Sequence, residues 1–88
     1  MDFTELVRNI YEMDRVFMSY SHQECDKPSG IAKTIGRVEE YDNIIEILFE
    51  EDVAPFVLDK SLISGYTCEE KKVTVFYEDE NKIVFKEL

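Results

Sequence analysis

An α+β fold, with an N-terminal helix followed by five or six short antiparallel strands closed into a small barrel or a strongly bent sheet, follows from three features of the chain. Apolar residues recur at helical spacing near the start, at Phe3, Leu6, Val7, Ile10 and Met13. From Arg15 onward the period drops to two, first at Val16, Met18 and Tyr20. Turn chemistry then interrupts the chain at short intervals, at Pro28-Ser29-Gly30, Asp42-Asn43, Ser64-Gly65 and Glu78 to Asn81. Eighty-eight residues leave room for one domain, residues 1–88, and one small core.

Each element has its own local signal. Asp2-Phe3-Thr4-Glu5 has the form of a capping box, and the stripe that follows makes a helix of about three turns. Such a helix should lie across a sheet or close a barrel end. The residues from His22 to Gly30 read as a loop. A second strand runs from Ile31 to about Tyr41, bent or bulged at Gly36, where the alternation breaks. After Asp42-Asn43, Ile45, Ile47 and Phe49 face one way while Glu46 and Glu50 face the other. Pro55 marks the exit from the sheet, because proline cannot donate to a central ladder. Phe56-Val57-Leu58 and Leu62-Ile63 supply further core, and Ser64-Gly65 kinks the chain before Tyr66. The tail is a hairpin, Lys72 to Tyr77 and Lys82 to Lys86.

Charge narrows the possible partners. Twenty acidic against ten basic side chains give a formal charge of −10. Nucleic acid is not an expected direct partner, since non-specific affinity for it comes from Lys and Arg displacing counterions. Anionic membrane surfaces are disfavoured on the same ground. Basic protein surfaces are the natural complement of this field, although acidity also simply confers solubility. The stretch from Val38 to Asp59 carries eight acidic residues and no Lys or Arg. Two cysteines, Cys25 and Cys68, no secretory pattern at Met1 to Glu5 and no long apolar run make a soluble, cytoplasmic protein with reduced thiols the expectation.

The order of elements resembles the Sm-like (LSm) family of small β-barrels, related in shape to SH3-like barrels. Gly36-Arg37-Val38-Glu39-Glu40-Tyr41-Asp42-Asn43 followed by Ile45, Ile47 and Phe49 is similar to the first Sm signature, and Val75 to Phe85 is similar to the second. RNA-binding members stack a base on the aromatic of the first signature, hold it with a nearby Asn, and add an Arg-Gly pair from the last hairpin. Here Tyr41 stands at the aromatic position, Glu46 at the Asn position, and Glu78-Asp79 replace Arg-Gly. The resemblance therefore implies a barrel whose RNA site is abolished.

Little else in the chain carries chemistry. His22 lies three residues before Cys25, which with Cys68 could serve a thiol or zinc site, but the spacing fits no standard zinc motif. No enzyme activity and no cofactor is expected. The candidate site is a set of carboxylates with an aromatic neighbour: Glu39, Glu40, Tyr41, Asp42, Glu46, Glu50, Glu51 and Asp52 around the central hairpin, and Glu78, Asp79 and Glu80 at the tail turn. Tyr66 and Tyr77 are further aromatic anchors. Outward carboxylates on neighbouring strands approximate the roughly 7 Å repeat of nucleic acid phosphates. In size and charge the chain is similar to small acidic phage-type inhibitors, among them uracil-DNA glycosylase inhibitor and anti-CRISPR proteins. The expected function is a non-catalytic, acidic interaction module that binds a basic surface, in the limit a DNA mimic inhibiting a nucleic-acid-binding enzyme. The alternatives are an Sm-like or SH3-like adaptor in a larger complex and an immunity protein against a toxin, and monomer and dimer remain equally open.

Overall fold

The apolar stripe of the first residues becomes a helix, α1 (Thr4–Glu12), in the computed structural model, which describes residues 1–21 and 29–88. Leu6 and Ile10 are fully buried, flanked by buried Phe3 and Met13. Burying each aliphatic side chain contributes about 1.5–3 kcal/mol, far more than nine residues of helix propensity supply. The expected capping box is not formed: the N-cap is Phe3, and the Asp2 carboxylate instead accepts the Thr4 N–H at 2.9 Å, two residues on. Among the described residues, Glu5 returns no bond. The helix is shorter than the expected three turns and stops where the chain turns extended at Met13.

Seven strands follow, all antiparallel: β1 (Arg15–Ser21), β2 (Ser29–Glu40), β3 (Ile44–Phe49), β4 (Phe56–Asp59), β5 (Ile63–Glu69), β6 (Lys72–Tyr77) and β7 (Lys82–Glu87). Their order in the sheet is β4-β3-β2-β1-β7-β6-β5. The expected five or six strands become seven, and the sheet is not closed. The correction comes from the two apolar pieces after Pro55. Phe56–Asp59 adds to β3 as a four-residue edge, and Ile63–Glu69 adds to β6 as the opposite edge. Ser64-Gly65, expected as a kink, is a register shift between Ile63 and Gly65 inside one strand.

The sheet is bent all the same. A flat seven-stranded sheet would be roughly 29 Å wide and one strand thick. The molecule instead measures 31 × 28 × 27 Å. Bending centres on β2, whose first half pairs with β1 and whose second half pairs with β3, with the register shifting between Ile35 and Arg37 at Gly36. Residues from both halves of the sheet thereby share one core: Ile45, Ile47, Phe49 and Leu58 meet Val16, Val73, Val75, Ile83 and Phe85. Helix α1 packs against β2, β5 and β6 and covers one end of that core. The two sheet edges, β4 and β5, are consecutive in sequence, joined by a single turn of 3₁₀ helix, η1 (Lys60–Leu62). The Asp59 carboxylate caps this turn, accepting from the Ser61 N–H at 3.0 Å and the Ser61 hydroxyl at 2.7 Å.

Candidate interaction surface

The central hairpin places its carboxylates on different faces. The Tyr41 N–H donates to the Ile44 carbonyl at 2.8 Å and closes the turn over Asp42-Asn43. Register sets Glu39 directly opposite Glu46, both pointing away from the core between buried Ile45 and Ile47. Like charges facing each other across a ladder repel. The Arg37 guanidinium relieves this, its Nε 3.1 Å from Glu39 Oε1, and the Tyr41 hydroxyl donates to the other Glu39 oxygen. That bond, with the charge on Glu39, pushes the Tyr41 phenol up. Glu40 falls in the register row of buried Ile45, so it belongs to the opposite face. Lys60 meets it at 2.8 Å and also bonds the Tyr41 carbonyl, with its ammonium 5.3 Å from the Phe3 ring centroid.

Past β3 the acidic run splits. Glu50 is exposed, but Glu51 turns back to β2 and accepts the Thr34 N–H at 2.8 Å and the Thr34 hydroxyl at 2.8 Å. These bonds hold its carboxyl below the usual range. Asp52 pairs with Lys33 at 2.8 Å, and the same ammonium lies 6.0 Å from the Phe49 ring centroid. Lys33 sits opposite Val16 in the sheet, its stem half-buried at the rim of the core. An unpaired ammonium at that depth would carry a desolvation cost, and Asp52 offsets it. The carboxylates expected around the central hairpin therefore do not all stand free on one face. Glu40, Glu51 and Asp52 brace the bent sheet, and Glu39 is paired by Arg37.

At the tail turn Asp79 accepts the Asn81 backbone N–H at 3.2 Å and its side-chain amide at 2.7 Å, while Glu80 takes a left-handed backbone at φ 70°. The Glu78 N–H donates to the Leu62 carbonyl at 2.9 Å, which ties this turn to η1. Asp42, Glu46, Glu50 and Glu78 form no ion pair or side-chain hydrogen bond among the described residues. These four, with Asp59 and Asp79, are the carboxylates around the central hairpin, η1 and the tail turn that are outside any ion pair among the described residues.

Of the expected aromatic anchors, Tyr66 is structural: its hydroxyl donates to the Asp2 carbonyl at 2.7 Å and its ring stacks on Phe3 at 6.1 Å. Tyr41 remains exposed, and Tyr77 is half-buried, its phenol pushed up to about 12 by burial. Val57 and Leu62, expected as core, are instead each roughly half exposed, as is Tyr20, which linear reasoning did not single out as an anchor. Val57 and Leu62 are near neighbours in the chain, while Tyr20 and Tyr77 reach them only through the tertiary fold.

The sparse catalytic candidates do not form a site among the described residues. His22 and Cys25 lie outside those residues. Burial pushes the Cys68 thiol up, assisted by Glu5 and opposed by Arg8, so it is not an activated thiolate. No three His, Cys, Asp or Glu side chains among the described residues converge as metal ligands would. No helix of the described residues is long and apolar enough to cross a membrane.

Fold and surface together define an α+β domain in which a helix covers one end of an open, bent seven-stranded sheet. No protein-family model, no curated protein and no solved structure matches the chain.

Proposed function

We propose that the protein is a non-catalytic, acidic interaction module that binds a basic surface of a partner, and that it acts as a nucleic acid mimic against a nucleic-acid-binding protein. The observation that carries this reading is the set of carboxylates without cationic partners, Asp42, Glu46, Glu50 and Glu78, on a chain of net charge −10. Their charge is exposed, so it steers a basic partner inward and is screened by salt. Lys33, Arg37 and Lys60 are already committed to Asp52, Glu39 and Glu40, leaving the free carboxylates uncompensated by them. A regular phosphate-like row is not required for such binding. Along β3 and into the turn after it the outward positions read Glu46, Leu48 and then Glu50, so carboxylates alternate with an apolar contact.

The test is capture from a native lysate by the intact protein and by a Glu46→Lys/Glu50→Lys variant, with circular dichroism to verify the fold. The expected outcome is a partner that the native protein retains at low salt and the variant loses, with retention also lost near about 0.5 M salt. A partner held equally by both proteins at high salt refutes the electrostatic reading.

The unpaired edges β4 and β5 favour one second reading, a Sm-like or SH3-like adaptor that takes up a partner strand. Size-exclusion separates the two, because an adaptor forms a ring or stable dimer and the inhibitor runs as a monomer. An immunity protein against a basic toxin is the same binding mode with a different partner.

A further inference from the structure

We propose that the groove between edge strand β4, η1 and the β6–β7 turn is the docking site for an arginine-bearing, extended segment of a basic partner, an inference that rests on the acidic-module reading above. The groove encloses about 320 Å³ and draws its walls from β1, β4, η1, β6 and the β6–β7 turn. Tyr20, Val57, Leu62 and Tyr77 supply apolar and aromatic surface, while Asp59 and Asp79 supply the charge. No Lys or Arg is among the described residues lining it, and neither carboxylate is in an ion pair among the described residues. Charge complementarity therefore selects a cationic occupant, and the apolar walls select one with a long aliphatic stem.

Arginine fits this combination better than lysine. Its planar guanidinium binds a carboxylate through two parallel hydrogen bonds and stacks on aromatic faces, and it is more weakly hydrated than an ammonium. The groove also adjoins the hairpin, because Val57 on its wall lies directly opposite Glu46 in the β3–β4 ladder. A segment seated in the groove thus passes from the Asp59 and Asp79 rim onto the free carboxylate of Glu46.

The experiment is a titration of the isotope-labelled full chain, followed by amide resonances, with an acetylated and amidated Leu-Arg-Leu-Arg peptide and its Leu-Lys-Leu-Lys counterpart. Saturable shifts are expected at Leu62, Tyr77 and Asp79, with the lysine peptide binding more weakly. Leu62→Ala leaves the net charge unchanged and the side chain is half exposed, so the variant keeps its fold, and it is expected to weaken the arginine peptide about five-fold or more. Asp79→Asn should weaken it to a similar degree. The groove is overturned if Leu62→Ala binds as the native chain does, if shifts spread evenly over the Glu39 to Glu50 hairpin, or if no saturable binding occurs at low salt. Any of these leaves the acidic-module reading standing. That reading fails separately, when the Glu46→Lys/Glu50→Lys variant retains the lysate partner.

Discussion

Gly36→Ala should destabilise the protein. Gly36 marks the register shift that lets β2 leave β1 and join β3. A Cβ at this position would stand 2.9 Å from the Leu48 carbonyl oxygen, where ordinary contact begins near 3.4 Å. The oxygen is backbone in the β2–β3 hairpin, and the Glu50 backbone nitrogen lies only 3.7 Å from the same point, so the neighbouring strand cannot swing aside cheaply. Forcing a methyl group into such a contact costs about 1–3 kcal/mol. For a domain of this size each kcal/mol lowers Tm by about 4–8 °C, which gives a drop of between about 4 and 24 °C. Gly65→Ala is the internal control. No atom lies within 4 Å of the added carbon and the backbone is not left-handed, so restriction of the unfolded chain should leave stability unchanged or raise it by up to about 1 kcal/mol. Urea unfolding followed by far-ultraviolet circular dichroism measures both. A Gly36→Ala midpoint equal to that of the native protein, or an equal loss in Gly65→Ala, would show that the bend does not depend on this close approach.

Two further outcomes follow from ionisation. The Tyr77 phenol has a folded pKa raised to about 12, so the stabilisation from its neutral form is complete below the ordinary tyrosine range and is lost as pH rises through about 12. In a phenolate absorbance titration one of the five tyrosines should ionise last, and that step should vanish in Tyr77→Phe; its persistence in the variant would contradict the assignment. Glu51 has a folded pKa lowered first by the Thr34 backbone N–H and then by the Thr34 hydroxyl, so its contribution is complete above the ordinary carboxylate range and disappears as pH falls through the lower folded value. Glu51→Gln should lose stability at about pH 7 and show a shallower further loss on acidification than the native chain, and parallel acid profiles would rule this out.

Local elements were legible because their causes are local. The helix announces itself through Phe3, Leu6, Ile10 and Met13, the tail hairpin through its alternation, and the bulge through Gly36 breaking a run of paired residues. Strand count was less legible. Phe56–Asp59 is four residues long and follows a proline, and it becomes a strand only because β3 offers it a ladder. The acidic surface was half legible. Composition showed how many carboxylates there are, while it could not show that Lys33 and Lys60, distant in sequence, come to pair with Asp52 and Glu40.

The chain by itself determined the α+β class, the helix, the central and final hairpins and a formal charge of −10. Side-chain periodicity and net charge are properties of neighbouring residues, so they survive without coordinates. Only the tertiary structure decided that the sheet stays open, that Asp52, Glu40 and Glu51 serve the fold, and that Tyr20, Val57, Leu62, Tyr77 and Asp79 line one groove. Those outcomes depend on how strands distant in sequence meet across a bent sheet, and no window along the chain contains both partners.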